Sequence, residues 1–365
     1  MLKNESRLHV GLIGPLPPPF GGMANQTRQL CDLLKSEGVK VSIAQTNGAY
    51  KPKIVGKVRG LRALFRMIPY LLKLWDLAEK ADVMHIMANS GWSWHLFSAP
   101  AVWIGWLRQT PVIINYRGGE ARSFFSRSIR WVKPTMQRAS AIIVPSGYLE
   151  KIFADFDFSS DVIPNIINTE RFQPNDARVL NASSALHLVV TRNLESIYGI
   201  PTAIRAVLIL HKSWPNVRLS IAGSGPQRGE LEELVEQLDL EEVVTFTGKL
   251  NPDEVAALYH QADVMLNPTT VDNMPNSILE SLACGVPVVT TNVGGIPYIV
   301  DNEKHVLMVD VGDAEAMAKQ VSRLLEDPLL AGNLVNAGLE EVAQFEWPVV
   351  KSKWLSLYRK LHTPR

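Results

Sequence analysis

The 365-residue chain contains two cysteines, Cys31 and Cys284, too few and too far apart for a disulfide framework or a cysteine-ligated zinc site. It has no uninterrupted apolar run of about 18 or more residues, so no segment reads as a spanning helix. The nearest one, GWSWHLFSAPAVWIGWL, is broken by His95 and Pro100 and reads as a buried helix. The opening MLKNESR is polar, which argues against a signal peptide and sets a cytoplasmic expectation. Neither G-x-G-x-x-G nor a Walker loop occurs, so the usual dinucleotide and P-loop signatures are missing. A hydrophobic content of 46% with 20% charged residues argues against disorder and supports sizeable cores. The length suggests two domains. Net charge is only +1, but residues 1–165 hold 21 Lys/Arg and 11 Asp/Glu, whereas 166–365 hold 16 and 25. That asymmetry suggests domains with different partners.

Short apolar runs alternate with helical patterns, the rhythm of a parallel α/β architecture. Strands are expected at LHVGLIG, VKVSIAQT, VMHIM, PVIINYR and AIIVPS, with helices over 22–36, 54–80, 93–107 and 122–139 and a short one after AIIVPS. DVIPNIINTERFQP, with its prolines and asparagines, reads as a connector. The rhythm restarts at LHLVVTRN. Strands VRLSIAGSGP, VVTFTG, DVMLNPT and PVVTT follow, with helices over 198–213, 227–238, 252–261, 275–284, 313–330, 332–343 and 347–362. Two βα series imply two doubly wound domains, and in such sheets ligands bind beyond the carboxyl ends of the strands.

The loops at those ends carry the chemistry. In GPLPPPFGGMANQTRQL, prolines stiffen the chain after the first strand, and Gly21 and Gly22 let backbone approach a ligand beside a helix N-terminus. Such a place suits phosphate, although a merely tight turn has the same look. In VDNMPNSILESLACGVPVVTTNVGG, Asp272 ends a loop, Pro275 can start a helix, and Glu280 lies about a turn into it. Asn273, Met274 and the first helical amides point donors into the same space. A carboxylate there can accept from sugar hydroxyls while the helix end holds diphosphate.

These motifs, together with NYRGGEA, VIPNIINTERFQP, TRNLESIYGIPTAIRAV, IAGSGPQRGELEEL, VTFTGKL and EWPVVKSKWLSLYRKL, resemble the family 4 glycosyltransferases over nearly the whole chain. The resemblance implies a GT-B fold: two Rossmann-like doubly wound domains facing across a cleft. The expected domains are an acceptor-binding one over 1–165 and a nucleotide-sugar-binding one over 166–345. A C-terminal helix, 346–365, would cross back to the first. The implied reaction is metal-independent, hexosyltransferase-type transfer with retention, and needs no cofactor. The implied donor is UDP- or GDP-linked, and the acceptor a glycan or lipid-linked molecule of polysaccharide or glycolipid biosynthesis. By resemblance, Arg192, Asp272 and Arg117 are catalytic. Arg192 would hold the diphosphate and stabilise the leaving group, and Asp272 would contact the donor sugar. Donor binding would fall to Gly21, Gly22, Gly223, Gly225, Thr247, Gly248, Asn273, Met274, Pro275, Asn276 and Ser277, with Glu280 on the ribose.

Three positions depart from the family pattern. Asp272 stands for a usual glutamate, Arg117 for a frequent histidine, and Tyr198 for a lysine. Arg117 cannot be a general base but can pair with a phosphate, an acidic sugar or Glu120. A nucleotide-sugar epimerase and a non-catalytic sugar-nucleotide binder are the competing readings. Asp155-Phe-Asp157 matches a D-x-D metal motif but lies between a short helix and a strand, and reads as a solvated loop. Residues 51–80 carry eight Lys/Arg and two acids, interleaved with Leu61, Leu64, Phe65, Ile68, Leu71, Leu72 and Trp75. They are expected either to lie on an anionic membrane surface, through residues 51–75 on the inner face, or to pack on the core with a solvated basic face. No motif supports nucleic-acid binding.

Overall fold

Apolar strands shielded on both faces by helices form parallel sheets, and this chain builds two of them. The computed structural model describes residues 8–18, 21–48, 61–174 and 186–362. The described chain divides into two units, one holding residues up to 166 and from 347 onward, the other holding 167–346.

The first unit begins β1 (His9–Gly14), α1 (Gly22–Ser36), β2 (Lys40–Gln45), α2 (Leu61–Lys80) and β3 (Val83–Ala88). It continues α3 (Ala99–Leu107), β4 (Val112–Tyr116), α4 (Ala121–Met136), β5 (Ala141–Val144), α5 (Gly147–Asp155) and β6 (Asp161–Val162). Its six strands lie in the order β2-β1-β3-β4-β5-β6, all parallel, with Val10 beside both Val41 and Val83. Every residue of β1, β3 and β4 is buried, as central parallel strands require. Strand order reverses between β1 and β3, and the loops leaving those strands line a cavity of about 220 Å³ with Pro15, Asn89 and Ser93 among its walls.

The second unit runs β7 (His187–Val190), α6 (Ile200–Ser213), β8 (Arg218–Ala222), α7 (Arg228–Gln237), β9 (Val244–Gly248), α8 (Pro252–Tyr259) and β10 (Val264–Asn267). There follow α9 (Asn276–Ala283), β11 (Val288–Thr291), β12 (Leu307–Val309), α10 (Ala314–Glu326) and α11 (Pro328–Val342). The parallel order β12-β11-β10-β7-β8-β9 is the Rossmann arrangement, with its switch point between β7 and β10. The last helix, α12 (Trp347–Leu361), belongs to the first unit. Val350, Trp354 and Tyr358 fill the core on the α1 face, beside Leu12, Leu30 and Leu34.

Several local expectations are corrected. The helix expected over 93–107 is continuous but begins with a π-helical turn, Trp94–Ser98, before α3. Pro100 lacks an N–H and therefore suits the first turn of α3. Of the helix expected over 54–80, the described part is α2, and residues 51–60 lie outside the described residues. The break expected near 331 falls at Asp327 instead. Pro328 cannot continue a hydrogen-bonded helix, and the Asp327 side chain accepts from Leu330 N at 3.0 Å to cap the next one. The strand expected after Asp157 is the two-residue β6, and the short edge strand β12 was not anticipated.

Candidate active site

The site is clearest at the switch point of the second unit. Arg192 leaves β7 two residues beyond Val190, and Asp272 stands in the loop after β10. The loops are tied together: Thr270 N and Thr269 Oγ1 donate to the Ile197 carbonyl at 2.7 and 3.0 Å. Arg192 and Asp272 form an ion pair with both side chains mostly buried. The guanidinium lies over the Tyr198 ring, 4.6 Å from its centroid. Burial lowers the Arg192 pKa, partly offset by Tyr198, Tyr259 and Glu280. The tyrosine in the lysine's place is thus a platform for the arginine.

The loop holding Asp272 is rigidly made. Asp272 Oδ1 accepts from Asn273 N at 2.8 Å, and the Asp272 carbonyl accepts from Gly295 N at 2.8 Å. A β-carbon on Gly294 or Gly295 would collide with the carbonyls of Asp272 and Asn273, and Gly294 sits at φ 59°. Asn273, Met274, Pro275 and Ser277 are buried, and Asn276 is half-buried. Pro275 precedes α9 without a side-chain cap. The Ser277 hydroxyl in the first turn, and Nε of Arg192, are buried with no hydrogen-bond partner among the described residues. Unpaired buried donors are costly in an apolar core and serviceable where an anion binds.

Glu280 lies one turn further into α9. Burial raises its carboxyl to about 7, against the pull of Arg192 and Arg171. Tyr259, absent from the expected site, holds this helix in place. Its hydroxyl donates to the Ser277 carbonyl at 3.0 Å, so Thr191 Oγ1, 2.6 Å away, must be the donor to it. The sequence offered no signal for this role, because a tyrosine at the end of α8 looks like an ordinary core aromatic.

The remaining expected donor residues lie further along the same edge. Gly223 and Gly225 press against the carbonyls of Arg192 and Leu194, where a β-carbon would clash, so both brace the arginine loop. Gly223 N donates to the Gly248 carbonyl at 2.8 Å, and Thr247 Oγ1 donates to the same carbonyl at 3.2 Å.

Gly21, Gly22 and Arg117 belong to the first unit. Gly21 precedes α1 in an extended conformation, and a β-carbon on Gly21 or Gly22 would meet nothing within 4 Å. Neither packing nor strain demands glycine at either place, which leaves their backbone open to approach. Arg117 Nε donates to Asn115 Oδ1 at 2.9 Å. Burial lowers its pKa to about 10. Asn115 Nδ2 in turn lies 2.9 Å from His85 Nε2, and His85 Nδ1 lies 2.6 Å from the Tyr358 hydroxyl. Asp155 and Asp157 are exposed, as expected of a solvated loop, and pair with Arg122 and Lys133 of α4 at 2.5 and 3.2 Å. Among the described residues no three His, Cys, Asp or Glu side chains gather as metal ligands.

Two family models match successive stretches: Glycosyltransferase Family 4 over residues 20–171 and Glycosyl transferases group 1 over 185–327. The chain belongs to the family 4 glycosyltransferases. Among its relatives, the D-inositol 3-phosphate glycosyltransferase of Corynebacterium urealyticum is 30% identical over 203 residues, 53% of this chain and 48% of that protein. The match thus spans about half the length of that curated relative. Sucrose-phosphate synthase from Thermosynechococcus elongatus superposes with a TM-score of 0.76 at 23% identity, covering 97% of this chain and 99% of that one. Anabaena Alr3699/HepE, solved in complex with UDP and glucose, gives 0.75 at 15% identity, covering 97% and 100%. At these identities the likeness establishes the fold, which is GT-B, with two Rossmann-like domains. Within this glycosyltransferase chain, the second-unit residues expected from the family pattern sit along one sheet edge, with Arg192, Asp272 and the start of α9 closest together.

Proposed function

We propose that the protein is a retaining, hexosyltransferase-type glycosyltransferase that moves a sugar from a UDP- or GDP-linked donor to a glycan or lipid-linked acceptor in polysaccharide or glycolipid biosynthesis. The reading rests above all on the buried Arg192–Asp272 pair beside the uncapped start of α9. A desolvated guanidinium, a helix N-terminus and the Ser277 hydroxyl together form a receptor for diphosphate. Glu280, one turn along, is suited to accept from ribose hydroxyls. As the glycosidic bond breaks, negative charge grows on the departing diphosphate, and Arg192 stabilises it in a site already arranged for that charge. Asp272 holds the guanidinium in place and offers an acceptor to a donor-sugar hydroxyl. Because these groups supply the neutralisation, the reaction is proposed to need neither a metal nor a cofactor. Arg117 and the Gly21–Gly22 amides are assigned to sugar and phosphate recognition. The proposed setting is the cytoplasm, at the inner face of the membrane. A structural neighbour that holds UDP and glucose supports the nucleotide class.

Calorimetric titration with UDP, GDP and ADP in the presence of EDTA tests the reading. Micromolar binding of one nucleotide is expected and would fix the base. Binding that returns only with a divalent ion would overturn the metal-free assignment, and no binding to any of the three would overturn the site.

A further inference from the structure

Helix α2 carries two apolar stripes. Tyr70, Leu74, Leu77 and Ala78 face the core. Ile68, Leu71, Leu72 and Trp75, spaced i, i+3, i+4, i+7, face outward and are 50%, 37%, 68% and 45% exposed. The helix thus packs on the core through one stripe, while these four of the interleaved residues do not, and the side chains of Leu61, Leu64 and Phe65 lie outside the described residues. The adjoining helices continue the same outer layer, where Trp106 and Leu107 of α3 are 49% and 59% exposed and Trp131 of α4 is 78% exposed. On the opposite side of the sheet, α1 and α12 expose one large apolar residue, Val349. Among the described residues of this unit, the exposed large apolar side chains other than Trp92, Leu96 and Val349 lie on this layer, and gathering of that kind marks an interaction face.

The same layer is basic. Residues 61–138 hold eleven Lys/Arg and four Asp/Glu. Helix α4 has Arg122, Arg127, Arg130 and Lys133 and no acid. Arg108 lies over Trp75 at 4.8 Å, and Arg138 over Trp103 and Trp106 at 3.9 and 4.9 Å. These stacks join α2 to α3 and α3 to the end of α4. Indoles settle at the headgroup level of a bilayer, aliphatic side chains just below it, and cations against lipid phosphates.

We propose that the α2–α3–α4 layer of the first unit is a docking face for an anionic phospholipid bilayer. A second copy of the chain fits this face less well, because a two-fold contact would set its positive charge against itself. Docking requires no donor, so the proposal stands or falls separately from the transfer reaction.

The test is sedimentation of the full chain with vesicles of phosphatidylcholine alone or mixed equally with phosphatidylglycerol, with light scattering to read oligomeric state. The wild type is expected to sediment with the anionic vesicles, less so as salt rises. The triple variant Ile68→Ser, Leu72→Ser, Trp75→Ser should lose more than about tenfold in partitioning, since three large side chains no longer enter the interface. A second variant, Arg127→Gln with Arg130→Gln, alters only exposed charges and should weaken binding to anionic vesicles alone. Failure of the wild type to sediment would overturn the proposal. So would variants that sediment like the wild type, or a wild-type dimer that the triple variant turns monomeric.

Discussion

Arg192 and Glu280 show what burial does to charge in this fold. Arg192 has given up water and received Asp272 and the face of Tyr198 in return. If its part is to meet charge that develops only as the donor breaks, Arg192→Ala should lower turnover by about 100-fold or more while changing donor affinity much less. Steady-state kinetics with the donor identified by titration would check this, and equal loss in both parameters would recast Arg192 as a binding group. Glu280 makes a prediction about pH. Its folded pKa of about 7 lies above its ordinary value because burial disfavours the carboxylate. A group raised in this way contributes stability that is complete below its unfolded pKa and is lost as pH rises through the folded one. Glu280→Gln should therefore gain melting temperature relative to wild type on going from pH 5 to pH 8. A difference that stays constant between those two pH values would contradict the raised pKa.

At the scale of elements, what could be read in advance followed hydrophobic period and length. Central strands such as LHVGLIG and VMHIM, and helices such as 22–36, were legible because their apolar residues are dense and consistent. The three-residue β12 was not, since a short edge strand leaves almost no periodic trace. The π-helical turn before Pro100 was hidden inside an apolar run whose two halves differ only in backbone hydrogen bonding. The site divides the same way. Asp272, Pro275 and Glu280 could be singled out together because they fall in one loop and the first turns of one helix. Tyr259 and the Tyr198 platform could not, because their roles depend on contacts with residues far away in sequence. The polar chain between β4 and α12 is a third such case. An arginine only donates, so Asn115 must turn its oxygen to Arg117 and its amide nitrogen to His85 Nε2. His85 then carries its proton on Nδ1, toward Tyr358. Burial first, and Arg117 second, lower its pKa to about 3. Nitrogen-15 NMR at pH 5 should show His85 neutral in the Nδ1–H form, where an exposed histidine would be largely charged. A charged His85 at that pH would dismantle the chain of donors.

For the whole molecule, the connectivity predicts how stability and binding divide. The second unit is one continuous stretch, 167–346, with two core clusters of its own, one on each side of its sheet. The first unit is completed only by α12, whose Trp354 is 1% exposed with its ring 4.6 Å from that of His85. Removing residues 347–365 should consequently damage the first unit and leave the second intact, although the deletion follows directly on the second. Trp354→Ala, a milder form of the same lesion, should cost about 3–5 kcal/mol in urea unfolding of the first unit. The complementary experiment expresses 167–346 alone. It should unfold cooperatively and bind the same nucleotide as the full chain, because Arg192, Asp272, Ser277 and Glu280 all come from it. A loss of affinity within about tenfold, roughly 1.4 kcal/mol, would still leave the main site with 167–346. Complete loss from a folded fragment would overturn the assignment of the nucleotide to 167–346 and leave the Arg192–Asp272 pair the role of bracing β7 against β10.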